Sequence, residues 1–388
     1  MAAEGVGLAE LLASKEIVMV CGTGGVGKTT VSAALATMTA VHLGARVLVL
    51  TVDPARRLAT ALGLEGIGQD PVEIPLASVG RRGTSRKGRL FAAMLDTGAS
   101  WDDLVHRHAP DRATADRLLA NPLYRNLTRR FTQSHGYVAM ERLHDLHASG
   151  AYDVVVVDTP PSRNALDILE APAQMAELFG GRLLRWITAP SRSRVVSLAA
   201  RPFYQVADRI LGSRFLQDIA EFFGLLQSME GPLVARATQI EHLMADPRTT
   251  FLVVTTLEPA PLAEGRYLIG ELQRRELHLG AVVANKVLPA SLRQPAAARS
   301  ARRLRADARD IGADLAPRVD APAPTVVKVL EQIADRYDDL AIAAAREAER
   351  MAELSASAPV MAVIPRRDSG VTDLAGLAEI GRSLWKRP

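Results

Sequence analysis

The run "GTGGVGKT", Gly22 to Thr29, constrains this chain more than any other stretch. It fits the pattern G-x-x-x-x-G-K-[ST], in which backbone N–H groups and one lysine surround phosphate oxygens. That chemistry needs a strand in front of the loop and a helix behind it. "EIVMVCG" supplies an apolar, β-branched run that predicts a strand over Ile17–Cys21. The residues after the loop predict a helix that starts near Lys28 and runs to Leu43. Gly24, Gly25 and Gly27, with Val26 between them, let N–H groups approach an anion with no Cβ in the way. The helix N-terminus adds partial positive charge. Lys28 is placed to reach the β- and γ-phosphates, Thr29 to offer its hydroxyl to Mg²⁺, and Thr30 to hold the α-phosphate side. By residue frequency alone the pattern arises in about one chain in a hundred of this length, and its setting makes chance rarer still.

Further short apolar runs follow: "ARVLVLTVD", "YDVVVVDTPP", "TFLVVTTLEP", "GAVVANKV" and "APVMAVIP", with "RLFAAMLD" (89–96) as one more candidate. Such continuous runs suit strands buried on both faces of a parallel sheet. Helical patterns alternate with them, as over Pro261 to Leu277. The fold class is therefore α/β, of the P-loop NTPase kind: a doubly wound, mostly parallel sheet. The core is assigned to residues 1–99 and 246–388, with the segment 149–170 carrying the strand that ends at Asp158. Residues 100–148 and 171–245 read almost entirely as helix and form an inserted helical subdomain. Within it, "FLQDIAEFFGLLQSM" places Phe215, Ile219, Phe222, Leu226 and Met229 on one helical stripe. That stripe either lines a groove for an apolar helix or packs in the subdomain's own core. A second helical region, rich in alanine and arginine, covers about 294–353, broken at "DAPAPT".

With 388 residues, 48% of them apolar, the chain buries a sizeable core. Aromatics at 4% are too few for stacking platforms on single-stranded nucleic acid, and no specific nucleic-acid partner is expected. The basic excess is small, 47 against 43, and fits phosphate handling or visits to an anionic membrane surface. Cys21, the one cysteine, excludes an internal disulfide framework and a CxxC zinc site. It reads as a small core residue at a strand's end. The first sixteen residues include acidic side chains and no long apolar core, and no run reaches about 18 apolar residues. The expected location is the cytoplasm, with the inner face of the membrane as a peripheral alternative.

Two aspartates close strands beside the loop. Asp53 ends "LTVD" and Asp158 ends "VVVVD". Ligands of parallel sheets lie at the carboxyl ends of the strands, where such carboxylates hold Mg²⁺ through water or polarise an attacking water. Thr29, Asp53 and Asp158 are the metal candidates; Lys28, Asp53 and Asp158 are the catalytic ones. The base is read as adenine. Asn285-Lys286 resembles the start of the guanine reader N-K-x-D, but position 288 is Leu, so the carboxylate that accepts guanine N–H groups is missing. Asn285 is the candidate for an adenine edge, and Ile364 with Pro365, in "VIPRRDSGV", for the opposite wall. The substrate and cofactor expected are ATP and Mg²⁺.

In order, "GTGGVGKTT", "TVDPA", "DTPPS", "NK" and "VIP" resemble the arsenite-pump ATPase family, which includes the guided-entry ATPase for tail-anchored proteins. The resemblance covers nearly the whole chain. It is greatest to actinobacterial members, in which "DTPPSRNALD" stands in place of a "DTAPTGHTLR"-like segment. The resemblance implies that Asp53 orients the attacking water and that Asp158 anchors an Mg²⁺-bound water. Pro160 and Pro161 would stiffen the segment that reports nucleotide state. It also implies a dimer with two nucleotides facing each other. The family's usual loop carries a lysine at the position of Thr23, which crosses that interface to stabilise transition-state charge. Thr23 is neutral and short. Either the chain pairs with a paralogue that keeps the lysine, or an arginine such as Arg56 or Arg163 replaces it within a homodimer. The first reading is favoured, because a replacement arginine needs new geometry. One cysteine cannot supply the thiolates of an arsenite sensor, and the CxxC that staples tail-anchored targeting dimers is absent.

The function expected is a dimeric ATP-hydrolysing switch that handles a hydrophobic client or membrane partner. The alternatives are the energising subunit of an anion or metalloid transporter, and a partitioning-type ATPase that binds DNA non-specifically. His144 with His147, and His106 with His108, read as exposed helix faces rather than metal ligands.

Overall fold

The computed structural model describes residues 7–52, 57–79, 88–95, 97–128, 135–161, 170–173, 213–357, 359–367 and 370–385. Eight strands form one sheet: β1 (Ile17–Gly22), β2 (Arg46–Thr51), β3 (Val72–Ile74), β4 (Arg89–Met94), β5 (Val154–Asp158), β6 (Thr249–Thr255), β7 (Leu279–Val287) and β8 (Met361–Pro365). Their spatial order is β3-β4-β2-β5-β1-β6-β7-β8. Every pairing is parallel except β3 with β4. The α/β class and the mostly parallel sheet predicted from the apolar runs are what the structure has. The unpredicted strand is β3. It has three residues between Pro71 and Pro75, two of them exposed, so no apolar run marks it. Short length and flanking prolines blunt this edge of the sheet.

Alternation along β1 shows why its whole length is apolar. Ile17, Met19 and Cys21 pack into one cluster, whereas Val18 and Val20 pack into another on the opposite face. The second face is covered by the helices Leu8–Ala13, Lys28–Leu43, Arg57–Leu62 and Leu374–Trp385. Helix Lys28–Leu43 is buried almost all round, and helix Leu374–Trp385 crosses it at Gly381, where a Cβ would meet Met38 Cγ at 2.0 Å. The first face carries the helices Thr97–His108, Arg112–Ala120, His135–Ala148, Glu230–Ala245 and Pro259–Arg274. Tyr137, Leu118, Leu143 and Ile240 from these helices share one apolar cluster with Met19 and Val155 of the sheet.

The stripe on helix Ser213–Ser228 is largely core. Phe222 and Met229, just past the helix end, are buried in the same cluster, and Leu226 packs against it. The side chain of Phe215 lies outside the described residues. The alanine-rich region forms helices Pro295–Ala306, Ala308–Leu315 and Ala323–Ser355. Ala308, Val326 and Leu330 form a small cluster of their own there.

Two histidine expectations need correcting. His108 is buried, with Nε2 2.5 Å from Glu141 Oε1, so it is not on an exposed face. His144 and His147 are half-buried: Arg236 Nη1 lies 2.6 Å from His144 Nδ1, and His147 Nε2 lies 2.7 Å from Glu16 Oε2. Helix Glu230–Ala245 and the segment before β1 pack over this side of the helix, which the sequence alone does not reveal. Among the described residues no group of three or more acidic, His or Cys side chains is placed to hold a metal.

Candidate nucleotide-binding site

β1 lies between β5 and β6, and the chain leaves its carboxyl end through the glycine-rich loop. This is the switch region where open α/β sheets bind ligands. The loop's shape depends on glycine at position 27. Its φ is 95°, and a Cβ there would lie 2.4 Å from Asn285 Nδ2. Gly27 is also the N-cap of helix Lys28–Leu43, so the helix's first N–H groups open onto the loop. Gly24 and Gly25 are exposed at the tip, with open space where side chains would be.

Lys28 is buried, and its Nζ donates to Thr23 O at 2.8 Å. Thr29 Oγ1 donates to Asp158 Oδ2 at 2.7 Å, and Thr51 Oγ1 donates to the same oxygen at 3.2 Å. Asp158 is itself buried, so its charge acts in a medium of low effective dielectric. A hydroxyl and a carboxylate side by side at the start of the helix are hard oxygen donors suited to Mg²⁺. Beside them opens a cavity of about 500 Å³. Gly25, Gly27, Lys28, Thr29 and Thr30 line one side, and Arg57, Thr60 and Ala61 of the next helix another. Thr159, Pro161 and Val371 also contribute to its lining. Loop amides, a lysine and an oxygen pair around such a cavity fit a nucleotide's phosphates and their metal ion.

Cys21 stands directly before the loop. Burial pushes its thiol up to about 11, against a smaller opposing pull from the Thr159 hydrogen bond and Lys28. It is an unreactive core thiol, as its place at the end of a buried strand predicts.

The structure thus gathers Gly25, Gly27, Lys28, Thr29, Thr30 and Asp158, with Gly24 and Val26 in the same loop. Val26 is buried in the core and acts through its backbone. Asp53, Arg56 and Arg163 lie outside the described residues. Asn285 faces the loop: its Nδ2 donates to Val26 O at 2.7 Å and its Oδ1 accepts from Lys286 N at 2.8 Å. One bond ties it to the loop and the other to its own neighbour. Ile364 is buried in the core, and with Pro365 it lines a different recess beside Arg366, Arg367 and Glu379. The side chain that joins the phosphate cavity from this part of the chain is Val371.

Sequence reasoning missed Thr51, Arg57 and Lys286. Thr51 and Arg57 flank the same "TVDPARR" stretch that carries Asp53, so position after the second strand is their only signal. In the sequence Lys286 stands out only as part of an incomplete guanine motif. In the structure its Nζ donates to Gly25 O at 2.8 Å.

A model of the anion-transporting ATPase family matches residues 15–309. The chain belongs to that family. Among similar proteins, an uncharacterized protein of Streptomyces coelicolor is 29% identical over 277 residues, covering 70% of this chain and 62% of its own length. ATPase GET3 of Komagataella phaffii is 24% identical over 282 residues, 70% of this chain and 72% of that protein. ATPase ASNA1 homolog 1 of Paramecium tetraurelia is 24% identical over 334 residues, 83% of both chains. The matched segment takes in the loop, Asp158 and the Asn285–Lys286 bulge, so membership of the anion-transporting ATPase family and the site's geometry concern the same residues. No helix among the described residues is long and apolar enough to cross a membrane.

Proposed function

We propose that the protein binds Mg·ATP in this cavity and hydrolyses it to ADP and phosphate. The observation that carries the reading is the Thr29–Asp158 pair beside the Lys28 loop, at the carboxyl ends of β1 and β5. Loop amides and Lys28 hold the phosphates. Thr29 and Asp158 hold the metal ion, the aspartate through water. Asp53 orients the attacking water, and binding energy goes into the transition state, where charge on the transferred group is spread over its oxygens. Adenine is the base, since Leu288 removes the guanine-reading carboxylate.

The protein works as a dimer in the cytoplasm and couples hydrolysis to a hydrophobic client or membrane partner. Family membership and the two relatives named as ATPases support this reading. The partner protomer is a second copy or a paralogue that carries a lysine at the position of Thr23. The family's description favours a second reading, the energising subunit of an anion transporter, with the single cysteine against arsenite as cargo.

The deciding experiment is titration of the wild type and Lys28→Ala with Mg·ATP and Mg·GTP, followed by phosphate release. Binding of ATP over GTP, lost in Lys28→Ala, with phosphate released by the wild type, is the expected outcome. Equal ATP affinity in the two proteins sinks the site assignment; ATP binding without turnover sinks the enzymatic reading.

A further inference from the structure

We infer that a second, polar cavity between helices Thr97–His108 and His135–Ala148 binds a small linear organic cation, with an ammonium or guanidinium group against the Glu141 carboxylate. It shares no lining residue with the phosphate cavity, so the inference does not rest on the ATPase reading.

The walls come from three segments. Asp103, Leu104 and Arg107 share one face of the first helix, and Val138, Glu141 and Arg142 share one face of the second. Gln69 and Asp70, ahead of β3, form a third side. The Met94 N–H donates to Gly68 O at 2.8 Å, which ties that segment to the end of β4. The space measures about 210 Å³, the share of about seven liquid water molecules.

Glu141 is what asks for a ligand. Its side chain is only 3% exposed. Oε1 is engaged, 2.5 Å from His108 Nε2 and 3.6 Å from Arg107 Nη1. Oε2 is buried with no hydrogen-bond partner among the described residues, and so is Tyr137 Oη. Burial and the Glu141 charge push the Tyr137 phenol up, but no hydrogen bond of normal geometry joins the two side chains. A buried carboxylate oxygen without a donor is costly, more so than a neutral group in the same place.

The walls say what kind of donor fits. Asp70 and Asp103 are exposed, and neither forms an ion pair among the described residues. Arg107 is taken by Asp145. Three carboxylates then face one guanidinium, that of Arg142, so the capacity left over is for positive charge. A metal ion does not meet it: among the described residues no group of three or more acidic, His or Cys side chains is placed to hold one. Carboxylates that share a cavity but are too spread for an ion suit a longer cation with several N–H donors. Leu104 and Val138, both buried, offer apolar wall for its methylenes.

The test is calorimetric titration of the full chain with putrescine, agmatine and butylamine, with potassium and magnesium chloride at matched ionic strength as controls. A dissociation constant of about 1 mM or lower is expected for at least one amine. Glu141→Gln removes the buried charge and should weaken binding at least about 30-fold. Asp103→Asn, at an exposed position, should weaken it about fivefold. Circular dichroism reports whether Glu141→Gln folds. If it does not, the double variant Asp70→Asn with Asp103→Asn decides, with a loss of about tenfold expected. No saturable binding of any of the three amines overturns the inference, and the cavity then holds water alone. Wild-type affinity in the folded variants overturns it too, as does an equal effect of potassium or magnesium ions, since the attraction is then not that of this cavity.

Discussion

At the scale of single residues, the site divides its charges by depth. Asp158 is buried and accepts from two threonine hydroxyls, Lys28 is buried with its Nζ on the Thr23 carbonyl, and Lys286 is exposed with its Nζ on the Gly25 carbonyl. A group that acts on the attacking water matters mainly in the transition state. Asp53→Asn is therefore expected to slow hydrolysis at saturating ATP by two orders of magnitude or more, about the effect of losing one transition-state contact, with little change in affinity. Steady-state phosphate release and equilibrium binding check this; weakened affinity with turnover unchanged at saturation shows the assignment is wrong. Cys21 makes the opposite kind of prediction. With its thiol held protonated to about pH 11, the native protein should resist maleimide at pH 7 to 8 and label fully only in denaturant. Rapid labelling of the native state contradicts the burial described for it.

At the scale of elements, the loop and the bulge of β7 are one unit. Asn285 and Lys286 hold two successive loop carbonyls, and Gly27 leaves room for Asn285. Gly27→Ala places a Cβ on Asn285 Nδ2 and puts alanine at φ 95°, so a loss of about 1–3 kcal/mol in stability is expected. Denaturant unfolding measures it, and ATP affinity should fall at least tenfold. On the other face of the sheet, helices His135–Ala148 and Glu230–Ala245 meet at His144. Burial first, and the Arg236 guanidinium second, hold His144 below its usual 6.5, against the weaker pull of Asp145 and Glu141. The folded chain then binds fewer protons here than the unfolded one. The contribution is present above pH 6.5 and is lost as pH falls through the window below it. Melting temperature should drop between pH 7 and pH 5, and His144→Asn should flatten that slope. An unchanged slope means other groups dominate it.

At the scale of the whole molecule, a ligand that binds only the folded state raises stability by mass action. At a hundred times its dissociation constant, Mg·ATP contributes about 2.7 kcal/mol, which for a chain of this length is a rise in melting temperature of about 3 °C. GTP should shift it less, and Lys28→Ala should abolish the shift. Dimer formation is read by light scattering with and without a non-hydrolysable ATP analogue; a monomer at every concentration in both conditions removes the dimeric switch. Turnover that requires an added lysine-bearing paralogue favours a charge supplied across the interface.

Sequence alone determined what depends on local pattern. A strand, a glycine loop and a helix N-terminus are adjacent in the chain, so the loop from Gly24 to Thr30 between β1 and its helix was legible residue by residue, and the apolar runs of β1, β2, β5, β6 and β7 announced a parallel sheet. Asp158 was legible because a strand's end marks the ligand side of such a sheet. The tertiary structure alone decided what depends on packing between distant segments. β3 is too short and too exposed to carry a pattern. Ile364 is buried in the core and Val371 lines the cavity, a division that packing decides and the apolar pattern does not show. His108 found Glu141, 33 residues away, across a helix pair whose contact has no signature in either helix. Lys286 reaches the loop only through a bulge and a left-handed residue, and 261 positions separate it from Gly25. Periodicity reports which face of an element is apolar; it does not report which polar tip the neighbouring element brings to it.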